Sequence, residues 1–377
     1  MKKETQNYQL IDEVFSRGLA TFIDPDQSFQ KKIQGKIDGT YTKDIIVKFG
    51  VDPTRPDLHL GHALILWRLR KLQDVGCKIV FLAGDYTTLI GDPTGKSRVR
   101  PELNQKEIEQ NMKTYIVQVQ KILRTDPAVF SWIRNADWFT AVSDIEPKEG
   151  IIVRIMNRGI NPRSFVGKAI LFAGTRMQKT HLKKNDIISI SLTTIMRTLR
   201  KITHARLIER DMFQERLNSG SELYMHEMLY PVLQGLDSYV ISRLYGSCDM
   251  EVGGTDQTFN MLMGRDVMKM NQQDAQAVAS FVILEGLDGS EKMSKSLDNY
   301  IAVNDAPRDM YGKVMSIPDT LIIKFFMLAT FTSSENIERI EKEMSDGILH
   351  PKKAKMNLAH QIVALYYGED EASDAGE

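Results

Sequence analysis

Two histidines three residues apart, His59 and His62, flank Gly61 in the stretch "PDLHLGHALIL". A His-x-x-His pair at this spacing can ligate a metal, bind phosphate at a helix start, or simply polarise a turn. A metal site needs third and fourth ligands, and none lies nearby in sequence. Far along the chain, "KMSKS" (292–296) sets Lys292 and Lys295 on a loop among small residues, which alone reads as a solvated charged loop. Polar residues also interrupt an apolar run at 224–244, where Tyr230, Gln234 and Asp237 fall near one helical face. Polar groups inside an apolar helix suggest a pocket rather than a solvated surface.

The elements that position these groups are legible from periodicity. "DIIVKFGVDP" (44–53) is a β-rich run closed by a proline turn, and "GHALILWRLRKLQDVG" (61–76) has helical spacing with Gly76 at its end. "CKIVFLAGDYT" (77–87) reads as a strand buried on both faces. Strand, helix and strand at this distance make a βαβ unit with a parallel sheet, and ligands bind beyond the carboxyl ends of such strands. His59, His62 and the loop "IGDPTGKSRVRP" (90–101) fall at that edge. "NQKEIEQNMKTYIVQVQKIL" (104–123) predicts a helix with Ile108, Met112, Tyr115 and Val119 on one face and an Asn104–Glu107 capping box. Residues 248–268 read as strand, Gly-Gly turn and helix, and 279–301 as a strand followed by a Gly/Ser/Lys-rich loop.

The totals set bounds on function. The 377 residues suffice for two or three packed units. Lys plus Arg and Asp plus Glu number 49 each, which excludes a uniformly basic nucleic-acid coat but not a local basic face. Cys77 and Cys248 are too few for a disulfide framework and fit a reducing compartment. No apolar run follows the lysines of the N-terminus and none reaches bilayer length, so the expectation is a cytoplasmic protein without membrane association.

"HLGH" and "KMSKS" in this order, at opposite ends of an α/β core, resemble the class I aminoacyl-tRNA synthetases. "GVDPTRPDLHLGH", "IGDPTGKS", "LYPVLQGLD", "GGTDQTFN" and "MSKSLDNYI" resemble the tyrosyl branch of that family, over most of residues 40–135 and 191–367. The resemblance implies a Rossmann-type parallel-sheet catalytic domain (41–300) after an N-terminal helical segment (1–40). A connecting insertion at about 140–190, a C-terminal helical domain (301–367) and an acidic tail or linker (368–377) complete the expected organisation. It implies activation of tyrosine by ATP, entering as its magnesium complex, with transfer to tRNA(Tyr) by a homodimer and no tightly bound protein metal. A tryptophanyl relative would share the nucleotide motifs, and a non-catalytic RNA-binding paralogue would have broken ones.

By the same resemblance, Thr54 and His59 contact the terminal phosphates of ATP, and His62 lies under ribose and adenine with Gly61 leaving the backbone room. Lys96, Arg100, Lys292 and Lys295 grip pyrophosphate, while Gly254 and Asp256 receive the ribose. Asp92, Tyr230 and Gln234 surround the tyrosine ammonium, Gln257 its carboxylate, and Asp237 accepts from its hydroxyl. Three departures stand out. Lys48 replaces a tyrosine that helps bind the hydroxyl in many members, so its ammonium turns away or a water takes the donor's place. The segment 154–184 carries Arg154, Arg158, Arg163, Lys168, Arg176, Lys179, Lys183 and Lys184 with no acid between its ends, a candidate tRNA surface at Arg176, Lys179, Lys183 and Lys184 or a solvated excursion. By the resemblance, relatives continue into a small RNA-binding module that helps hold the tRNA; the sequence stops at Glu377 in what resembles the linker to it, so either it is a truncated chain or the protein lacks the module.

Overall fold

The computed structural model describes residues 17–93, 104–139, 190, 192–208, 211–294 and 297–377. The basic segment 154–184 lies outside them, as do Lys96, Arg100 and Lys295. In chain order the elements are β1 (Leu19–Ile23), α1 (Ser28–Ile37), β2 (Ile46–Val51), α2 (Leu60–Asp74), β3 (Lys78–Ala83), α3 (Asp85–Ile90), α4 (Gln105–Gln120), β4 (Phe130–Arg134) and α5 (Ala136–Phe139). They continue with α6 (Leu192–Leu199), α7 (His204–Ile208), α8 (Asp211–Asn218), α9 (Met225–Tyr245), β5 (Met250–Gly254), α10 (Thr258–Met270) and β6 (Ala277–Phe281). Helices α11 (Pro307–Ser316), α12 (Ile322–Ala329), α13 (Ser334–Ser345), α14 (Pro351–Tyr367) and α15 (Glu369–Gly376) close the chain.

The strands form one sheet in the order β1-β6-β5-β2-β3-β4. All pairings are parallel except that of β1 with β6. Every residue of β3 is buried, as a central parallel strand requires. Phe81 of β3 stacks on Trp132 of β4 at 4.7 Å, which extends the core toward the β4 edge. The chain leaves β2 toward β3 on one side and later places β5 on its other side, so the strand order reverses at β2. That reversal opens a crevice beyond the carboxyl ends of β2 and β5.

Helix α4 begins at the expected capping box, with Glu107 N–H donating to Asn104 Oδ1 and Asn104 N–H to Glu107 Oε2, both at 3.0 Å. Its apolar face, Ile108, Met112, Tyr115 and Val119, is buried as the periodicity predicts. Three details differ from the sequence-based expectation. Residues 19–23 lie in the stretch expected to be helical, yet "LATFI" is short, apolar and β-branched and completes the sheet along β6. The strand expected over 77–87 stops at Ala83, because Gly84 and Asp85 start α3. The acidic tail is helical, since Glu369, Asp370 and Glu371 suit a helix N-terminus and Ala372 is fully buried in a second core.

That second core gathers α11 to α15 with Leu284 and Met293, and it also takes in Leu60 and Leu64 of α2. The backbone joins the two regions directly. Leu60 N–H donates to Ile301 O at 3.0 Å and Val303 N–H to Leu58 O at 2.8 Å. Among the described residues, no helix is long and apolar enough to cross a membrane.

Helix α9 lies against α10 through glycine. A Cβ on Gly235 would meet Val267 Cγ2 at 2.8 Å and the Gly264 Cα at 3.3 Å. Gly235→Ala should therefore lower stability by about 1–3 kcal/mol, the usual effect of overpacking. Urea unfolding of wild type and variant measures this, and equal midpoints would show that the two helices are not in close contact.

Candidate active site

The crevice at the strand reversal is a cavity of about 500 Å³. All twelve of the expected site residues that are described line it: Thr54, His59, Gly61, His62, Asp92, Tyr230, Gln234, Asp237, Gly254, Asp256, Gln257 and Lys292. They come from five places in the sequence, and the topology accounts directly for three of them. The turn after β2 supplies Thr54 and leads into His59, the residue just before α2. Gly254 ends β5, and Asp256 and Gln257 occupy the single turn that follows. One face of α9 supplies Tyr230, Gln234 and Asp237, spaced four and three residues apart.

His59 and His62 face each other across the first turn of α2, with ring centroids 3.9 Å apart. The backbone N–H of His59 donates to His62 Nδ1 at 3.3 Å. A Cβ on Gly61 would approach the His59 ring to 3.0 Å, so glycine lets that imidazole fold over the helix start. Opposite them, Lys292 Nζ lies 3.0 Å from Asp256 Oδ2. Both side chains are partly exposed, so this ion pair is readily exchanged for a charged ligand.

The other half of the cavity is a network of hydrogen bonds. Gln257 Nε2 donates to Asp92 Oδ2 at 2.7 Å, and Tyr230 Oη to Asp52 Oδ2 at 2.8 Å. Asp52 also accepts from Thr87 Oγ1 at 2.8 Å. Gly84 makes room for that contact, because a Cβ there would lie 2.2 Å from Asp52 Oδ1. Asp237, 2% exposed, accepts from Trp138 Nε1 at 2.9 Å and from Asn135 Nδ2 at 3.2 Å. Burial raises its carboxyl to about 7, against the pull of the Lys48 charge and of the Asn135 and Trp138 donors.

Lys48 is fully buried at the cavity wall, in register with Glu251 of β5. Its ammonium turns to Glu251 Oε1 at 2.8 Å and donates to Ser238 Oγ and Gln234 O, both at 2.9 Å. The ammonium is thus engaged by protein partners in the adjacent strand and helix. Glu251 accepts in addition from Gln234 Nε2 at 2.9 Å, from Ser238 Oγ at 3.3 Å and from Gln276 Nε2.

Several of these groups were not anticipated from sequence. Asp52 was read only as part of a proline turn. Asn135 and Trp138 lie in a stretch without clear periodicity, although "FSWIRNADW" carries a β-rich run before a polar turn. Glu251 in a buried strand opposite Lys48 was a signal that pairwise reading of charges in adjacent strands could have found.

The cavity lining groups imidazoles, a hydroxyl and a lysine at one end, chemistry suited to phosphate, and paired carboxylates and amides at the other, chemistry suited to a zwitterion. The sequence profile of the class I tRNA synthetases (W and Y) matches residues 40–377. The chain belongs to that family. A tyrosine–tRNA ligase of Carboxydothermus hydrogenoformans is 36% identical over 363 residues, covering 96% of this chain and 74% of the relative. One from Thermotoga maritima is 40% identical over 331 residues, covering 88% and 69%. Among solved structures, a C-terminally truncated mitochondrial tyrosyl-tRNA synthetase of Aspergillus nidulans superposes with a TM-score of 0.66 at 19% identity, over 100% of this chain and 96% of that one. The tyrosyl-tRNA synthetase of Archaeoglobus fulgidus, complexed with L-tyrosine, gives 0.63 at 16% identity, over 98% and 99%. These likenesses place the synthetase in the Rossmann-type class I fold.

Burial of Asp237 has a consequence for pH. Its folded value of about 7 lies above the ordinary 3.8, so between those two pH values the native state holds a proton that the unfolded chain has released. Stability from this group is present at low pH and is lost as pH rises through about 7. Asp137, raised to about 7 by burial, acts in the same direction. Asp237→Asn should therefore remove part of the decline in urea midpoint between pH 5 and pH 8. Parallel wild-type and variant profiles would show that Asp237 is ionised throughout.

Proposed function

We propose that this synthetase is a tyrosine–tRNA ligase, and that the single observation carrying this is Asp237 in the cavity wall. Tryptophan has no hydroxyl for a buried carboxylate to accept from, so the tryptophan side of the family fits this cavity less well. The relatives that cover nearly the whole chain carry the tyrosine name.

Tyrosine lies with its ring toward Asp237 and its ammonium among Asp92, Tyr230 and Gln234, with Gln257 near the carboxylate. ATP enters as its magnesium complex, whose metal supplies charge neutralisation on the phosphates. Thr54 and His59 meet the phosphates, His62 and Gly61 lie under the nucleoside, and Gly254 and Asp256 receive the ribose. The amino-acid carboxylate itself attacks the α-phosphate, so no side-chain nucleophile is required. The protein's work is to position two reactants and to stabilise charge on departing pyrophosphate. Lys292 is one cation for that purpose, and Lys96, Arg100 and Lys295 belong to the same proposal by family resemblance. The adenylate then esterifies tRNA(Tyr). We include in the proposal a homodimer acting in the cytoplasm, for which the free buried thiols of Cys77 and Cys248 fit a reducing compartment.

Two substitutions test the assignment. Asp237→Ala should abolish the preference for tyrosine over phenylalanine, and tyrosine-activating enzymes are themselves the standard example of such hydroxyl-based rejection, about 10⁵-fold. A variant that keeps that margin in ATP–pyrophosphate exchange refutes the role given to Asp237. Lys292→Ala should lower the turnover number far more than it raises the Michaelis constant for tyrosine, because the charge it meets develops in the transition state. An unchanged turnover number would remove Lys292 from the chemical step.

A further inference from the structure

The donors around Asp237 are already committed. Trp138 has one N–H, and it goes to Asp237 Oδ1. Asn135 has two, and its Nδ2 donates to Thr87 Oγ1 at 3.0 Å and to Asp237 Oδ2. Lys48 has three, matched by Glu251 Oε1, Ser238 Oγ and Gln234 O. Each Lys48 N–H already has an acceptor in this network, so donating to a ligand would require giving up one of those bonds.

We infer that Lys48 is a positioning residue whose pairing with Glu251 makes the amino-acid subsite a donor-only reader: Asp237 accepts a hydrogen bond from the para group of the substrate ring, and Trp138, Asn135 and Lys48 keep their N–H groups in the bonds they already make. The inference rests on the tyrosine-activating function proposed above and extends it to substrate class. Lys48 acts on the ligand through two indirect routes. Its charge pulls the Asp237 carboxyl toward the anionic, accepting form. Its bond to Gln234 O, with the Glu251 bond to Gln234 Nε2, fixes the side chain read as holding the substrate ammonium.

A donor-only subsite accepts ring substituents by their hydrogens rather than their lone pairs. The class it admits is therefore phenols and anilines. An amino group can replace the hydroxyl, whereas a fluorine of similar size cannot, because it offers Asp237 no hydrogen and a lone pair instead.

The test is ATP–pyrophosphate exchange on the full chain with tyrosine, 4-aminophenylalanine, 4-fluorophenylalanine and phenylalanine. 4-Aminophenylalanine should rank next to tyrosine, and 4-fluorophenylalanine should fall with phenylalanine, on the order of 10⁴–10⁵-fold below tyrosine. The neutral double variant Lys48→Met/Glu251→Gln avoids burying an unpaired charge. It should raise the Michaelis constant for tyrosine severalfold, leave that for ATP unchanged, and keep the amino analogue above the fluoro analogue. If wild type activates the fluoro analogue well above phenylalanine and the double variant does not, Lys48 is a direct donor and the inference is overturned. A wild-type ranking of fluoro above amino overturns it without any variant. Absence of tyrosine-dependent exchange in wild type would instead retire the functional proposal, so the two failures are distinguishable.

Discussion

Lys48 and Glu251 lie side by side in the middle of a parallel sheet, and much of the amino-acid half of the cavity follows from keeping both charges there. Removing one partner of such a pair typically costs about 3–5 kcal/mol, because the other is left buried and uncompensated. The pair therefore needs every remaining donor and acceptor satisfied. Ser238 and Gln234 come from α9 and Gln276 from the segment before β6, so the ion pair ties that helix to both strands at the point where the strand order reverses. A helix held by two turns on one face has little freedom to rotate. The same face carries Tyr230, Gln234 and Asp237 into the cavity.

The nucleotide half is assembled differently, by backbone rather than by buried charge. Leu58 and Leu60 bracket His59, and both hydrogen-bond the chain at Ile301 and Val303, just beyond the lysine loop. Met293, next to Lys292, is anchored in the same core as Leu60 and Leu64. The two nucleotide motifs, more than two hundred residues apart in sequence, thus share one packed region. Any shift of the helical layer against the sheet moves both motifs together. The Lys292–Asp256 pair links the lysine loop to the turn after β5, and its partial exposure leaves it open to competition from a ligand's own charges.

How much of this was legible in the sequence depended on the range of the signal. Elements with a long apolar period, such as α4 and β3, could be read because burial on one or both faces imposes that period. The twelve cavity residues could be named because they sit in short, local motifs that resemble those of a known family. What could not be read was pairing across elements. Nothing near Lys48 in sequence announces Glu251, which meets it only through the β2–β5 register. Asn135 and Trp138 were missed for the same reason: their partner, Asp237, lies about a hundred residues away. Strand β1 escaped because five residues at a sheet edge are too few to show a period that distinguishes them from a helix turn.

Placing a carboxylate where water cannot reach it has opposing effects, and Asp237 shows both. Desolvation lifts its carboxyl toward neutrality and so weakens the native state at high pH. The same desolvation makes a hydrogen bond to the carboxylate worth more than it would be in water, since no solvent competes for the acceptor. Trp138, Asn135 and the Lys48 charge are what keep the ionised form accessible near neutrality. Were they absent, burial alone would hold the group protonated, and a protonated acid offers a donor where the substrate hydroxyl needs an acceptor. Selectivity at this position therefore depends on Asp237 together with Lys48 of β2, Asn135 of the turn after β4 and Trp138 of α5, which favour its charged form.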